Sequence, residues 1–312
     1  MDTPHRLKRP PAIRLARAHD RLTFVYADMC AVRQDDNGTL LAVHGNQGPR
    51  TVYVPTATLA ALILGPGTSI TQPAAAALAA AGCTVMFTGA GMIRSYSTFV
   101  TPNRPTELLL RQASIVSDPD LRAVVARRMF TKRFPGQVDT STADIRQLQA
   151  LEGVRMKATY RTHANRHRLP HWHRNNGTHP SMGPPDTVNV ALNHANTALY
   201  GVVTCAATLL GLSPGLGVIH TGNRLSFVLD IADLYKADLT IPVAFAAHGS
   251  TNPGAEVNRA LRDSMRLVRL LPSIIDDIHD LLGVDSPSTN GEDWDVDDVW
   301  LWAGTETPFG TS

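Results

Sequence analysis

The period of the apolar residues changes near Thr106, and this change constrains the fold more than any other feature of the chain. Before it, short runs are rich in β-branched and aromatic residues and are punctuated by Gly, Pro and Asn. After it, apolar residues recur at helical spacing. The pattern predicts an α+β protein. A β-rich N-terminal domain spans residues 1–102, a larger α-helical domain 103–282, and an acidic C-terminal tail 283–312.

In the first region, residues 22–32 read as a strand. Asp35-Asp36-Asn37-Gly38 reads as a hairpin turn, with Asn-Gly supplying positive φ, and residues 40–44 as the return strand. A third strand is expected over 51–55. Gly65-Pro66-Gly67 breaks the chain, and an Ala-rich helix is expected over 73–81. A strand follows over 83–88, with 92–97 pairing back across Gly89-Ala90-Gly91. That turn has too few glycines, and no following helix, for a dinucleotide loop.

In the second region, helices are expected over 107–116, over 121–134 behind an Asp118 cap, and over 140–168. The last of these has a capping-box-like start at Ser141 and Asp144. A loop covers 170–185, and Asp186 caps a helix over 188–212. Further helical segments follow over 224–236, 241–248 and 255–282. Residues 122–133 carry a basic stripe: Arg122, Arg127, Arg128, Lys132 and Arg133.

Length and cysteine use fit this picture. The 312 residues suffice for two domains. Three widely spaced cysteines, Cys30, Cys83 and Cys205, exclude a disulfide scaffold and a cysteine zinc module, and fit a reducing cytoplasm. No apolar run is long enough to span a membrane, and residues 1–9 lack the apolar stretch of a secretory signal. The expectation is a cytoplasmic protein with no membrane partner.

Charge is distributed unevenly. The net charge is +2, yet no Lys or Arg follows Arg269, and ten carboxylates lie between Asp276 and Glu306. One reading is a basic body with a solvated acidic tail. The other is a body that meets a polyanion and a tail that meets something else. In the tail, residues 291–302 combine five carboxylates with Trp294, Trp300 and Trp302. Three readings stand: these fold back on the body, the tail is simply disordered, or they dock on a partner protein.

Four residues stand out chemically. Asp230 and Asp233 are three apart in an otherwise apolar helical segment, where an unpaired carboxylate is costly. They pair with arginines elsewhere, or they hold a divalent cation. His220 ends an apolar run ten residues before Asp230. Glu152 opens a stretch of 33 residues without an acid. It neutralises Arg155 or Arg161, or it supplies a metal ligand beside a phosphate-binding surface. That stretch carries Arg155, Lys157, Arg161, Arg166, Arg168 and Arg174, with His163, His167, His171, His173 and His179. A zinc site is conceivable there. Nucleic-acid contact suits a cationic, aromatic-containing segment better. No Gly-x-Ser-x-Gly elbow appears.

Several stretches, in this order and spacing, resemble the CRISPR-associated Cas-one family of spacer-acquisition endonucleases, in its type I-E form. They are Leu64 to Thr71 (LGPGTSIT), Leu151-Glu152-Gly153-Val154-Arg155, Asn193 to Gly201 (NHANTALYG), Ser213 to Gly222 (SPGLGVIHTG), Phe227 to Lys236, and Ile241 to Phe245. The resemblance covers about residues 20–282. It implies that the helical domain is catalytic, with metal ligands matching Glu152, His220 and Asp233, and with Asp230 as a supporting acid. Arg94 and Tyr200 match further functional positions. The family often has Gly-Glu where this chain has Gly89-Ala90.

The resemblance further implies Mg²⁺ or Mn²⁺ as cofactor, and double-stranded DNA, both prespacer and CRISPR repeat, as substrate. The implied partners are a second copy in a homodimer and a small ferredoxin-like Cas-two dimer bridging two such dimers. Arg155, Lys157, Arg161, Arg166, Arg168 and Lys236 are the candidate DNA-binding cations. The expected chemistry is phosphodiester transesterification by a 3′-hydroxyl. Three other readings stay open at this point: a structure-specific repair nuclease, a non-catalytic DNA-binding subunit, and a zinc hydrolase using the histidines.

Overall fold

The computed structural model describes residues 24–45, 48–56, 59, 61–89, 95–98, 106–133, 144–175, 186–267 and 270–283. The tail, Arg94, Ser141 and His179 lie outside these residues.

Among the described residues, the β-rich region forms two four-stranded sheets. β1 (Phe24–Ala27) and β2 (Cys30–Asp35) come from what the sequence predicts as one strand. The chain breaks at Met29, whose φ of 48° is left-handed, so β1 and β2 enter different sheets. β2 pairs antiparallel with β3 (Gly38–Gly45), which pairs with β4 (Gly48–Tyr53). The expected turn is present. Asp35 Oδ1 accepts from the backbone N–H of Asn37 and Gly38, and of these two only Gly38 adopts positive φ.

β5 (Ala61–Leu64) has no counterpart in the sequence expectation. It lies between parallel neighbours β1 and β7 (Thr84–Thr88) and is buried along its whole length. An all-apolar run covered on both faces shows no alternation. β6 (Ser69–Ile70) pairs with β2, α1 (Gln72–Ala80) follows, and β8 (Ser95–Thr98) runs antiparallel to β7.

The helical region is built around α5 (Thr187–Leu209). Asp186 caps it by accepting from Val188 and Asn189. Ala191, Ala195, Ala198, Gly201, Ala206 and Ala207 are buried along it, and small residues let neighbouring helices approach closely. Around α5 sit α6 (Ser226–Ala232), α7 (Ile241–Ala246), α8 (Pro253–Leu267) and α9 (Leu270–Leu282). The described residues of the predicted helix over 255–282 lie in α8 and α9. Cys205 of α5 packs with Ala61, Ile63 and Met86 of the sheet, which joins the two regions.

α2 (Glu107–Ser117) and α3 (Pro119–Arg133) follow the predicted spans closely, and Asp118 caps α3. α4 (Ile145–Arg166) starts later than expected. Its capping box is Asp144 with Gln147, not Ser141 with Asp144. α4 buries Leu148 and Ala164 but leaves Leu151 and Val154 exposed. It therefore lies on the surface, with one end over the helical core. No helix among the described residues is long and apolar enough to cross a membrane.

Candidate active site

The site is organised by a carboxylate that water does not reach. Asp230, in α6, is fully buried. The loop over 213–222 folds across it, and the backbone N–H groups of Val218, Ile219 and His220 all donate to its carboxylate. Gly217 permits this fold, because a Cβ there would collide with the His220 carbonyl and Ser226. Two outer helices staple the loop. The buried Gln112 side chain of α2 donates to the carbonyls of Ser213 and Leu216 and accepts from Ser213 N–H, and Arg122 Nε of α3 donates to the Val218 carbonyl.

His220 is fixed by the same acid. Its Nδ1 lies 2.7 Å from Asp230 Oδ1. A carboxylate oxygen accepts, so Nδ1 is the donor in this contact, and in the neutral ring the lone pair is on Nε2. The Asp230 hydrogen bond raises the imidazole pKa against the opposing effect of burial, and the charges of Asp230 and Asp233 raise it further. Nε2 sits 3.9 Å from Asp233 Oδ2.

Asp233 ends α6, and the chain then makes a turn and a π-helical stretch, Lys236–Thr240, before α7. Such stretches recur at functional sites. The predicted continuous helix over 224–236 is accordingly shorter. This geometry brings Lys236 Nζ to 2.6 Å from Asp233 Oδ1 and 4.9 Å from the centroid of the Tyr200 ring. Burial pulls the Lys236 pKa down, but Asp233 and Tyr200 outweigh it and hold it above the ordinary lysine value.

Glu152 reaches the same place from α4. Burial raises its pKa, and the Arg133 guanidinium only partly offsets this. Arg133 Nη1 is 2.8 Å from Glu152 Oε1, and Nη2 is 3.5 Å from Asp233 Oδ2 and donates to the Asp230 carbonyl. Glu152 therefore pairs with Arg133 rather than with Arg155 or Arg161. The shallow cleft in front of these groups is lined by Arg133, Glu152, Arg155, Met156, Asp233 and Asp238.

Arg133 is the residue that sequence reasoning missed. It reads as part of a solvated basic stripe, yet its side chain is only 4% exposed. The signal was its spacing: it follows the buried Ala126, Met129 and Phe130 at helical intervals. Two other members of the stripe also turn inward. Arg122 holds the loop, and Lys132 pairs with Asp277 and Asp280.

The candidate DNA-binding residues divide similarly. Lys157, Arg161, Arg166 and Arg168 are exposed, Arg155 lines the cleft, and Lys236 points at Asp233. Arg174 is committed internally, donating to Asn189 and Asn193 of α5. His163 and His167 lie against the Phe245 ring, with centroids 5.7 and 6.0 Å away, and Trp172 meets that ring edge-on. Among the described residues, no group of three His, Cys, Asp or Glu stands close enough together to clasp a metal in this arrangement.

The model of the CRISPR associated protein Cas1 family matches residues 137–250, the segment that carries Glu152, His220, Asp230 and Asp233. A CRISPR-associated endonuclease Cas1 of Clostridium sp. strain SY8519 is 34% identical over 296 residues, covering 94% of this chain and 95% of that protein. The chain belongs to the Cas1 family. The Cas1 endonuclease of Escherichia coli K12 is 32% identical over 265 residues, covering 84% of this chain and 85% of its own. The crystal structure of a TtCas1–DNA complex superposes with a TM-score of 0.71 at 35% identity, covering 84% of this chain and 97% of that one. The α+β fold, a β-rich region followed by a helical one, is thus the Cas1 fold.

Proposed function

We propose that this Cas1 chain is a metal-dependent DNA integrase and endonuclease. It inserts short DNA fragments as new spacers into a CRISPR array. The observation that carries this reading is the clustering of Glu152, Asp233 and His220: Glu152 and Asp233 share Arg133, and His220 Nε2 lies 3.9 Å from Asp233 Oδ2.

The donor set fits a divalent cation. Two carboxylates and one imidazole are a common hard-to-borderline ligand set, and a carboxylate behind the imidazole is the usual support for a ligating histidine. Glu152, His220 and Asp233 would hold Mg²⁺ or Mn²⁺. When bound there, the cation supplies Lewis-acid polarisation of the scissile phosphate and neutralises charge at the departing oxygen.

The remaining work falls to the chain itself. Asp230 keeps the His220 ring oriented and its Nδ1 protonated. Lys236 lies against Asp233 and over the Tyr200 ring, so a DNA phosphate that reached Asp233 would meet a positive charge and a hydroxyl. Arg155, Lys157, Arg161, Arg166 and Arg168 hold the DNA backbone, a contact that positions without reading sequence. Arg94 enters from motif position alone. In the reaction, a 3′-hydroxyl oxygen bonds to phosphorus, the bond from phosphorus to the old 3′-oxygen breaks, and the proton passes to that departing oxygen.

Residues 1–102 act as the β-rich domain, 103–282 as the catalytic domain and 283–312 as an accessory tail. The working assembly is a homodimer paired with the small Cas-two dimer. The similarity to a Cas1 solved with DNA supports the DNA substrate. The reading is tested by incubating the chain with its small partner, a labelled prespacer and a repeat-bearing plasmid. Joined product is expected with Mn²⁺ or Mg²⁺ and none with chelator. Free ends without joined strands would favour a repair nuclease instead.

A further inference from the structure

Two cations are already seated against Glu152 and Asp233. Arg133 cannot leave: its side chain is buried, Nη2 is anchored on the Asp230 carbonyl, and Cζ lies 5.3 Å from the centre of the Phe130 ring. Its Nε is buried without a hydrogen-bond partner, so the guanidinium is held for its contacts to Glu152 and Asp233 and not for full satisfaction of its own donors. Lys236 sits on the other oxygen of Asp233. The charges of Glu152 and Asp233 are thus matched by Arg133 and Lys236. The remaining charged groups lining the cleft add Lys132, Arg155 and Asp238, and Lys132 is turned to Asp277 and Asp280. Asp230 is compensated separately, by three backbone N–H groups and the His220 ring.

We infer that Arg133 and Lys236 hold the site near charge balance, so that a divalent cation binds it weakly alone and strongly only together with DNA phosphate. The physical reason is Coulombic. A doubly charged ion gains little from a site whose acids are already neutralised, and it is repelled by two fixed cations a few ångströms away. Each backbone phosphate adds a negative charge that the site lacks. Linkage makes the effect reciprocal: the cation strengthens DNA binding by the same factor. The consequence is a site that assembles only on its substrate. The inference rests on the metal-dependent reading above and extends it from which residues bind to when they bind.

The test is direct Mn²⁺ titration of the full chain by electron paramagnetic resonance, with and without a short DNA duplex. The proteins are the wild type, Arg133→Gln, Lys236→Gln and Arg133→Lys. DNA should tighten wild-type Mn²⁺ binding by about tenfold or more, within the usual range of coupling between sites. Both Gln variants should bind Mn²⁺ about tenfold more tightly than wild type without DNA, and the gain from DNA should shrink by a similar factor. Arg133→Lys should keep the wild-type affinity. Lys236→Gln alone decides the matter if Arg133→Gln does not fold. Gln variants that bind Mn²⁺ no more tightly than wild type, or wild-type binding that ignores DNA, would overturn the inference and leave the metal reading standing. Absence of Mn²⁺ binding in every protein, even with DNA, would overturn both.

Discussion

His220 Nδ1 and Asp230 Oδ1 are 2.7 Å apart, and this contact joins the only ring of the candidate ligand set to an acid that is fully buried. Asp230 does not face the cleft. It holds the loop over 213–222 through three backbone N–H groups, and the same carboxylate fixes Nδ1 as the donating nitrogen of the His220 ring.

Asp230→Asn should therefore damage stability as well as activity. The amide would place a donor among donors in a buried setting, at a cost of about 3 kcal/mol. Urea denaturation followed by circular dichroism measures it. A midpoint equal to the wild type would show that the loop does not depend on this acid.

His220→Ala should behave differently. The side chain is 40% exposed, so its removal should change folding stability by less than about 1 kcal/mol. Metal-dependent strand joining should be lost. Equal loss of stability in both variants would mean that His220 is structural.

Arg161, Arg166 and Arg168 are exposed on or just beyond α4. Replacing all three with Ala should lower the salt dependence of DNA binding, the slope of log K against log salt, by about 2 to 3. Fluorescence anisotropy at several salt concentrations reads this. An unchanged slope would place the DNA on another surface.

Arg174→Ala is the matching control. Its guanidinium donates to Asn189 Oδ1 at 2.8 Å and to Asn193 Oδ1 at 2.7 Å. The variant should lose about 1–2 kcal/mol of stability with the DNA salt slope unchanged. A slope reduced as far as for the exposed arginines would make Arg174 a phosphate contact.

Parts of this arrangement are legible in the sequence because they rest on local chemistry. Asp118 and Asp186 announce their helices by position, and the turn at Asp35–Gly38 by residue type. Glu152, His220, Asp230 and Asp233 stand out because an acid or imidazole among apolar residues demands a reason. Arg133 did not stand out, because a cation in a basic helix has a bland explanation; only its partners across space reveal its role. β5 was missed because complete burial erases alternation. The π-helical turn at Lys236 was missed because residues 224–236 carry no breaker. Arg174 reads in the sequence as one more cation of the basic stretch, because charge composition does not distinguish an exposed arginine from one held by asparagines on the next helix.

The central claim is that Glu152, His220 and Asp233 form one metal-dependent centre for strand joining. The measurement is single-turnover joining of a labelled prespacer to a repeat-bearing plasmid in saturating Mn²⁺, for wild type and the three Ala variants. The account predicts joined product from wild type and loss of at least about a hundredfold in each variant, because each removes part of the same charge stabilisation. Wild-type joining by any one of the three, with its fold intact, would contradict it.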